Sequence, residues 1–195
     1  MITCVLKGGL GNMMFQIAWL KSFSKDYGQE SYFLNLEDQI RLLNIDKTYN
    51  PSLNYAEEYL SIFQNLNLKE NLGKELPTKR INLPFHFVDV PLYEGACYDG
   101  FFQSEKYFKH NREYLLKLFE PSYVVKKVLE KYKDFFKETT CSIHVRRGDY
   151  LKFSQHHPPQ ALEYFNQSID QMLNLGVNTF LVFSADIKWR MDNFS

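Results

Sequence analysis

Cysteine is scarce and odd in number in this 195-residue sequence: Cys4, Cys97 and Cys141, none of them at metal-ligand spacing. Such a set argues against a disulfide framework or a zinc site, and a reduced, cytosolic setting is the expectation. Neither sign of charge is in excess, since 23 Lys and Arg balance 23 Asp and Glu. Without a basic stripe, general attraction to nucleic acid or to an anionic membrane is excluded, and any anion site must be local. No apolar run approaches the roughly 20 residues that span a bilayer, and the opening MITCVLKGGLGN lacks the apolar region of a signal peptide. Membrane contact is therefore peripheral at most. There is no DxD triplet, and His156 and His157, followed by two prolines, have no carboxylate or thiol partners at ligand spacing. No metal is expected.

What the chain has is apolar and aromatic mass: 45% hydrophobic residues, with 17 Phe and 13 Tyr, enough for a real core and for rings that stack on bases or sugars. Residues 2–6 read as a strand, residues 8–11 as a glycine turn and residues 14–27 as a helix. A second strand is expected at 31–36, short helices around 55–66 and a further strand at 84–90. Residues 124–136 read as an amphipathic helix set off by Pro121. Strand, helix and strand then recur at 142–146, 159–175 and 179–184. Two such runs predict an α/β fold with parallel sheets in two Rossmann-like halves, residues 1–138 and 139–195. The second half has two strands, too few for a doubly wound sheet, so it is expected to be incomplete in this chain.

GGLGNMMF lies between the first strand and helix, where glycines permit a tight turn and backbone amides can meet an anion. Gly9 and Gly11 fit the start of GxGxxG, but the third position is Met14 and no acidic residue ends the second strand. An NAD(P)-dependent Rossmann oxidoreductase is thus an alternative resting on the loop alone. The glycines also suit plain helix-to-sheet packing, and Asn12 suits either a polyol hydroxyl or a helix cap.

CSIHVRRGDY, ending at Tyr150, is the most informative string. Arg146 and Arg147 stand at the C-terminal end of a strand, the edge where open α/β sheets bind ligands, and guanidinium forks match phosphate oxygens. Alternation sends the two arginines to opposite faces and puts His144 on the face of Arg146, so one arginine grips phosphate while the other braces the site. Asp149 can orient an arginine or accept a proton. The competing reading is an internal ion pair between Asp149 and an arginine, with His144 half-buried.

Three separated motifs then converge. GGLGNMMFQIA is similar to GGLGNQMFQYA, GFFQSEKYF to GYFQSEKYF, and HVRRGDY to HxRRxDY, and the sequence resembles the α-1,2-fucosyltransferases of glycosyltransferase family 11. The resemblance implies a GT-B-like arrangement of two Rossmann-like domains, the first on the acceptor side and the second binding GDP-fucose. It also implies metal-free, cofactor-free transfer of fucose, with inversion, to a galactose hydroxyl of a glycan acceptor. It implies that Arg146 and Arg147 neutralise the departing diphosphate, that His144 and Asp149 shape that site, with Asp149 the candidate base, and that Gly9, Gly11 and Asn12 face the reaction centre and bind the GDP-fucose donor with them. A bacterial enzyme of the cytoplasm or of the periphery of the inner membrane is the implied setting. Met13 replaces the family's Gln, Ala185 replaces an Asp of FSDD, and the family's NSTFSWW-like segment is missing, so a noncatalytic fragment or degenerate relative is the other reading.

Overall fold

A computed structural model describes residues 1–33, 36, 60–66, 77, 79–152, 154–155, 158–184 and 186–194, without the side chains of Tyr123, Asp149 and Lys152. Most of the stretch expected to hold short helices at 55–66, the end of the strand expected at 31–36, and His156, His157 and Ala185 lie outside those residues. The chain divides into two compact units, Met1–Val124 and Val125–Ser195. The junction expected after residue 138 lies inside the second of them.

The first unit is a parallel sheet of β1 (Ile2–Cys4), β2 (Ser31–Tyr32), β3 (Arg80–Asn82) and β4 (Cys97–Asp99), in the order β2-β1-β4-β3. Parallel registry pairs Thr3 with Cys97 and Asn82 with Asp99, so the carboxyl ends of β1, β3 and β4 lie along one edge. Helix α1 (Leu10–Asp26) connects β1 to β2 and buries Met13, Gln16, Ile17, Trp19, Leu20 and Phe23. A helix apolar over most of its circumference must sit in a core, and α1 packs on the face that carries Cys4 and Tyr98. Trp19 is the centre of that packing. Its ring stacks 3.9 Å from Phe102 and 5.0 Å from Phe23, and meets Tyr98 edge-on. Phe102 adopts a left-handed φ of 53°, a conformation costing about 1–2 kcal/mol that the stack on Trp19 offsets. Helix α2 (Arg112–Leu118) adds Leu115 and Leu118 to the same core.

Two expectations are corrected. Helix α1 begins at Leu10, so Gly11 is already helical, because the turn is completed by Lys7 and Gly8. Residues 84–90 form no strand; the ladder instead uses Arg80–Asn82 and Cys97–Asp99. Pro84 has no N–H to donate to a ladder, and the alternating rings of Phe85 and Phe87 turn to separate aromatic partners, Phe101 and Tyr107.

The second unit contains most of α3 (Ser122–Tyr132), then β5 (Thr140–Val145), α4 (Gly148–Lys152), α5 (Leu162–Asn174), β6 (Thr179–Ser184) and α6 (Ile187–Asn193). Strands β5 and β6 pair in parallel from Thr140 opposite Thr179 to Val145 opposite Ser184. Val145 and Phe165 are its buried apolar side chains among the described residues, and Phe165 meets Phe194 edge-on. Among the described residues no helix is long and apolar enough to cross a membrane.

One buried amide fixes the turn out of β1. The Lys7 N–H donates to Gln16 Oε1 at 3.0 Å, and Gln16 Nε2 donates to the Lys7 carbonyl at 3.1 Å, with Gln16 fully buried. Replacement by leucine leaves both groups of that peptide without partners, so Gln16→Leu is expected to lower stability by about 2–4 kcal/mol in urea unfolding. A loss below about 0.5 kcal/mol would show that the turn holds without the amide.

Candidate active site

Gly8 is where the first loop requires glycine. It has φ +80°, and a Cβ there would lie 2.3 Å from Asn12 Nδ2. Gly9 caps α1 in extended backbone and Gly11 is helical; an added Cβ on either meets nothing within 4 Å. Asn12 is brought together with the second motif, accepting a hydrogen bond from Gln103 Nε2 at 2.6 Å. On the same sheet, Asp99 at the end of β4 binds Lys7 Nζ at 2.5 Å and the Arg80 guanidinium. Burial works to raise the Asp99 carboxyl, but the hydrogen bonds from Lys7 and Arg80 outweigh it and hold it below the ordinary carboxylate range. The edge of the first sheet therefore presents an ionised carboxylate, two cations engaged by it and an amide pair. Such groups suit hydroxyl-rich ligands better than a bare anion.

The arginine motif is built in the second unit by the end of β5. His144, in β5, and Arg146, just past its end, line a cavity of about 180 Å³ with Tyr150, Pro158, Pro159, Gln160, Tyr164 and Phe165. The Arg146 guanidinium lies 5.0 Å from the Tyr150 ring centre. Arg147 has other partners. Its Nε donates to Asp186 Oδ2 at 3.1 Å, and its guanidinium lies 4.4 Å from the Trp189 ring. The ion pair of Arg147 runs to Asp186, and the Asp149 side chain lies outside the described residues.

Asp186 and Trp189 carry no role in the sequence reading. Asp186 is the N-cap of α6 and accepts the Trp189 N–H at 3.1 Å, a cap geometry that any Asp before a helix can adopt. Ser184 ties it to β5, since its Oγ accepts the Asp186 N–H at 3.1 Å and donates to the Val145 carbonyl at 3.1 Å. A strand ending in Ser, then Asp three residues before Trp, is the signal that could have found this anchor. Among the described residues, no three His, Cys, Asp or Glu side chains come together as a metal-binding group, so no ligand set is assigned.

A parallel α/β fold with a polar cluster at a sheet edge and paired arginines at a strand exit defines a ligand-binding α/β protein. The family described as Glycosyl transferase family 11 matches residues 1–195, and the chain belongs to it. It is 28% identical over 205 residues to an Escherichia coli alpha-1,2-colitosyltransferase, an alignment covering 94% of this chain and 68% of that protein. It is 26% identical to the Escherichia coli O-antigen biosynthesis glycosyltransferase WbnK over 232 residues, covering 100% of this chain and 76% of that protein. A Caenorhabditis elegans galactoside 2-alpha-L-fucosyltransferase is 28% identical over 202 residues, 97% of this chain and 53% of that protein. No solved structure matches the chain.

The loop geometry separates three glycines by stability alone. Gly8→Ala is expected to cost about 1–3 kcal/mol in thermal or urea unfolding, from backbone strain and collision with Asn12, while Gly9→Ala and Gly11→Ala cost less than about 0.5 kcal/mol. Equal losses at all three positions would contradict the assignment of the strained conformation to Gly8.

Asp186 sets a pH dependence. The Trp189 N–H lowers its carboxyl below the ordinary 3.8; partial burial opposes this, and Arg147 adds to the lowering. Stability from the ionised form is complete above the ordinary value and lost as pH falls through the lowered one. The stability gap between wild type and Asp186→Asn should hold steady above about pH 5 and close at lower pH. A gap unchanged down to about pH 2 would show that the carboxylate charge contributes nothing.

Proposed function

We propose that the chain transfers fucose from GDP-fucose to a galactose hydroxyl of a glycan acceptor, with inversion and without a metal. The pair of arginines at the exit of β5 carries this reading. As the bond from the sugar's anomeric carbon to the phosphate oxygen breaks, positive charge develops on the sugar and negative charge on the departing diphosphate. Stabilising that leaving group is the main lever on rate. Arg146, on the rim of the cavity shared with His144, supplies one fork. Arg147 supplies the other, its Nε held by Asp186 and its plane set against Trp189, which leaves its terminal nitrogens pre-oriented. The acceptor hydroxyl attacks the anomeric carbon from the opposite face and gives its proton to a base, the role assigned to Asp149, while GDP leaves with the bonding electrons. His144 shapes the diphosphate site.

On this reading the two units follow the GT-B plan, the first taking the acceptor and turning its loop of Gly9, Gly11 and Asn12 toward the donor, and the second binding that donor. Family membership supports transferase chemistry. The names of the colitosyl- and fucosyltransferase relatives share the 1,2 or 2 linkage, which supports a 2-hydroxyl as the point of attack. A second reading, colitose as the sugar transferred, is favoured by the colitosyltransferase relative.

Incubating the chain with GDP-fucose and galactosides in EDTA should release GDP and form a fucosylated product. The corresponding nucleotide-linked colitose, offered separately, decides the second reading. Arg147→Ala is expected to lower kcat/KM by about 10²–10³, and Arg147→Lys to recover little, because a point charge lacks the planar fork. Near-normal turnover in a folded Arg147→Ala protein would overturn the clamp.

A further inference from the structure

Phe85 is the most exposed large apolar side chain among the described residues, with 81% of its surface open to water. It is nonetheless held in one place. Strand β3 ends at Asn82, and the Leu83 N–H continues its ladder by donating to the Asp99 carbonyl at 2.8 Å. Gly100 lets the exits of β3 and β4 approach this closely: a Cβ there would stand 3.2 Å from Leu83 Cβ and 3.2 Å from the Phe102 ring. The two exits then project Phe85 and Phe101, whose rings stack with centres 5.3 Å apart and planes inclined by 15°.

The segment is fastened on its far side as well. Phe87 packs 4.7 Å from Tyr107, and the Val88 N–H donates to the Tyr107 hydroxyl at 3.1 Å. An apolar ring ordered in water without being buried forgoes the main stabilisation its residue type offers. A ligand that covers its exposed surface would recover it.

The surroundings indicate which ligand. Lys7 Nζ stands 4.6 Å from the centre of the Phe101 ring and 2.5 Å from Asp99. Gln103, two residues past Phe101, donates to Asn12. Aromatic faces carry partial negative charge and attract the partly positive C–H bonds on one side of a pyranose, while its hydroxyl edge seeks mixed donors and acceptors. Lys7 and Arg80 are both engaged by Asp99, so the cluster suits a neutral polyol better than a diphosphate.

We infer that the Phe85–Phe101 pair is the platform on which the acceptor's neutral pyranose ring stacks, with the Lys7–Asp99 pair beside Phe101 meeting its hydroxyls. This rests on the reading of the chain as a transferase acting on a glycan, and it makes Phe85 a specificity-determining residue for that acceptor. The first unit's ligand-binding edge thereby gains an apolar half that the glycine loop alone does not provide.

Two measurements on the whole chain test it. In transfer kinetics, Phe85→Ala should raise the acceptor KM about tenfold and leave the donor KM unchanged, and Phe85→Trp should restore the acceptor KM. In saturation-transfer NMR with methyl β-galactoside and no donor, wild type should saturate the ring C–H protons and Phe85→Ala should not. A rise in donor KM instead of acceptor KM would make the pair a nucleobase platform and overturn the inference. So would an unchanged acceptor KM, or galactoside binding that is absent in wild type or indifferent to Phe85. If wild type binds the galactoside through Phe85 yet transfers nothing, the platform stands and the transfer reading falls.

Discussion

The peptide of Lys7, closed on both its N–H and its C=O by the side chain of Gln16, is the constraint on which the first unit depends. β1 has only three residues, too few to aim a loop by themselves. The amide converts the exit of β1 into a rigid extension of α1, because donor and acceptor sit on one side chain anchored in the helix. From that fixed peptide follow the left-handed turn at Gly8, the start of α1 at Leu10, and the reach of Lys7 to Asp99. Polar burial serves specificity here, since an apolar residue at position 16 would pack as well and aim nothing.

A similar economy governs the second unit at smaller scale. β5 and β6 end in register, and Ser184 and Asp186 spend their side chains on the neighbouring backbone, joining strand end, helix cap and arginine in one chain of contacts. Arg147 inherits its direction from that chain. Two arginines that are adjacent in sequence thus differ in kind: Arg146 lines a cavity with His144, whereas Arg147 is pinned between a carboxylate and an indole.

Long, strongly patterned elements were legible in the sequence. The strand read at 179–184 is Thr179–Ser184, and the helix read at 159–175 is Leu162–Asn174, because each carries its period over enough residues to exclude the alternative. Arg146 and Arg147 have different partners although both lie past the end of β5, where strand alternation no longer dictates their directions. What was not legible is short or distant. β4 has three residues, and Cys97–Asp99 shows no period that could be read. Phe85 and Phe87 mimic a strand's alternation while their rings seek other aromatic partners. Asp186 lies 39 residues from Arg147, a separation that no local pattern spans. Which glycine of the turn at 8–11 needs a left-handed φ is not legible either, since that depends on neighbours that the motif does not name.

The chain has two tryptophans, and they fall one to each unit. Trp19 is sealed in the first core against Phe102, while Trp189 lies against the guanidinium of Arg147. A charge beside an indole shifts its emission, so the arginine at the strand exit carries its own optical reporter, and the sealed indole supplies an internal reference. Events at the arginine can therefore be watched in the native protein by fluorescence, without any label.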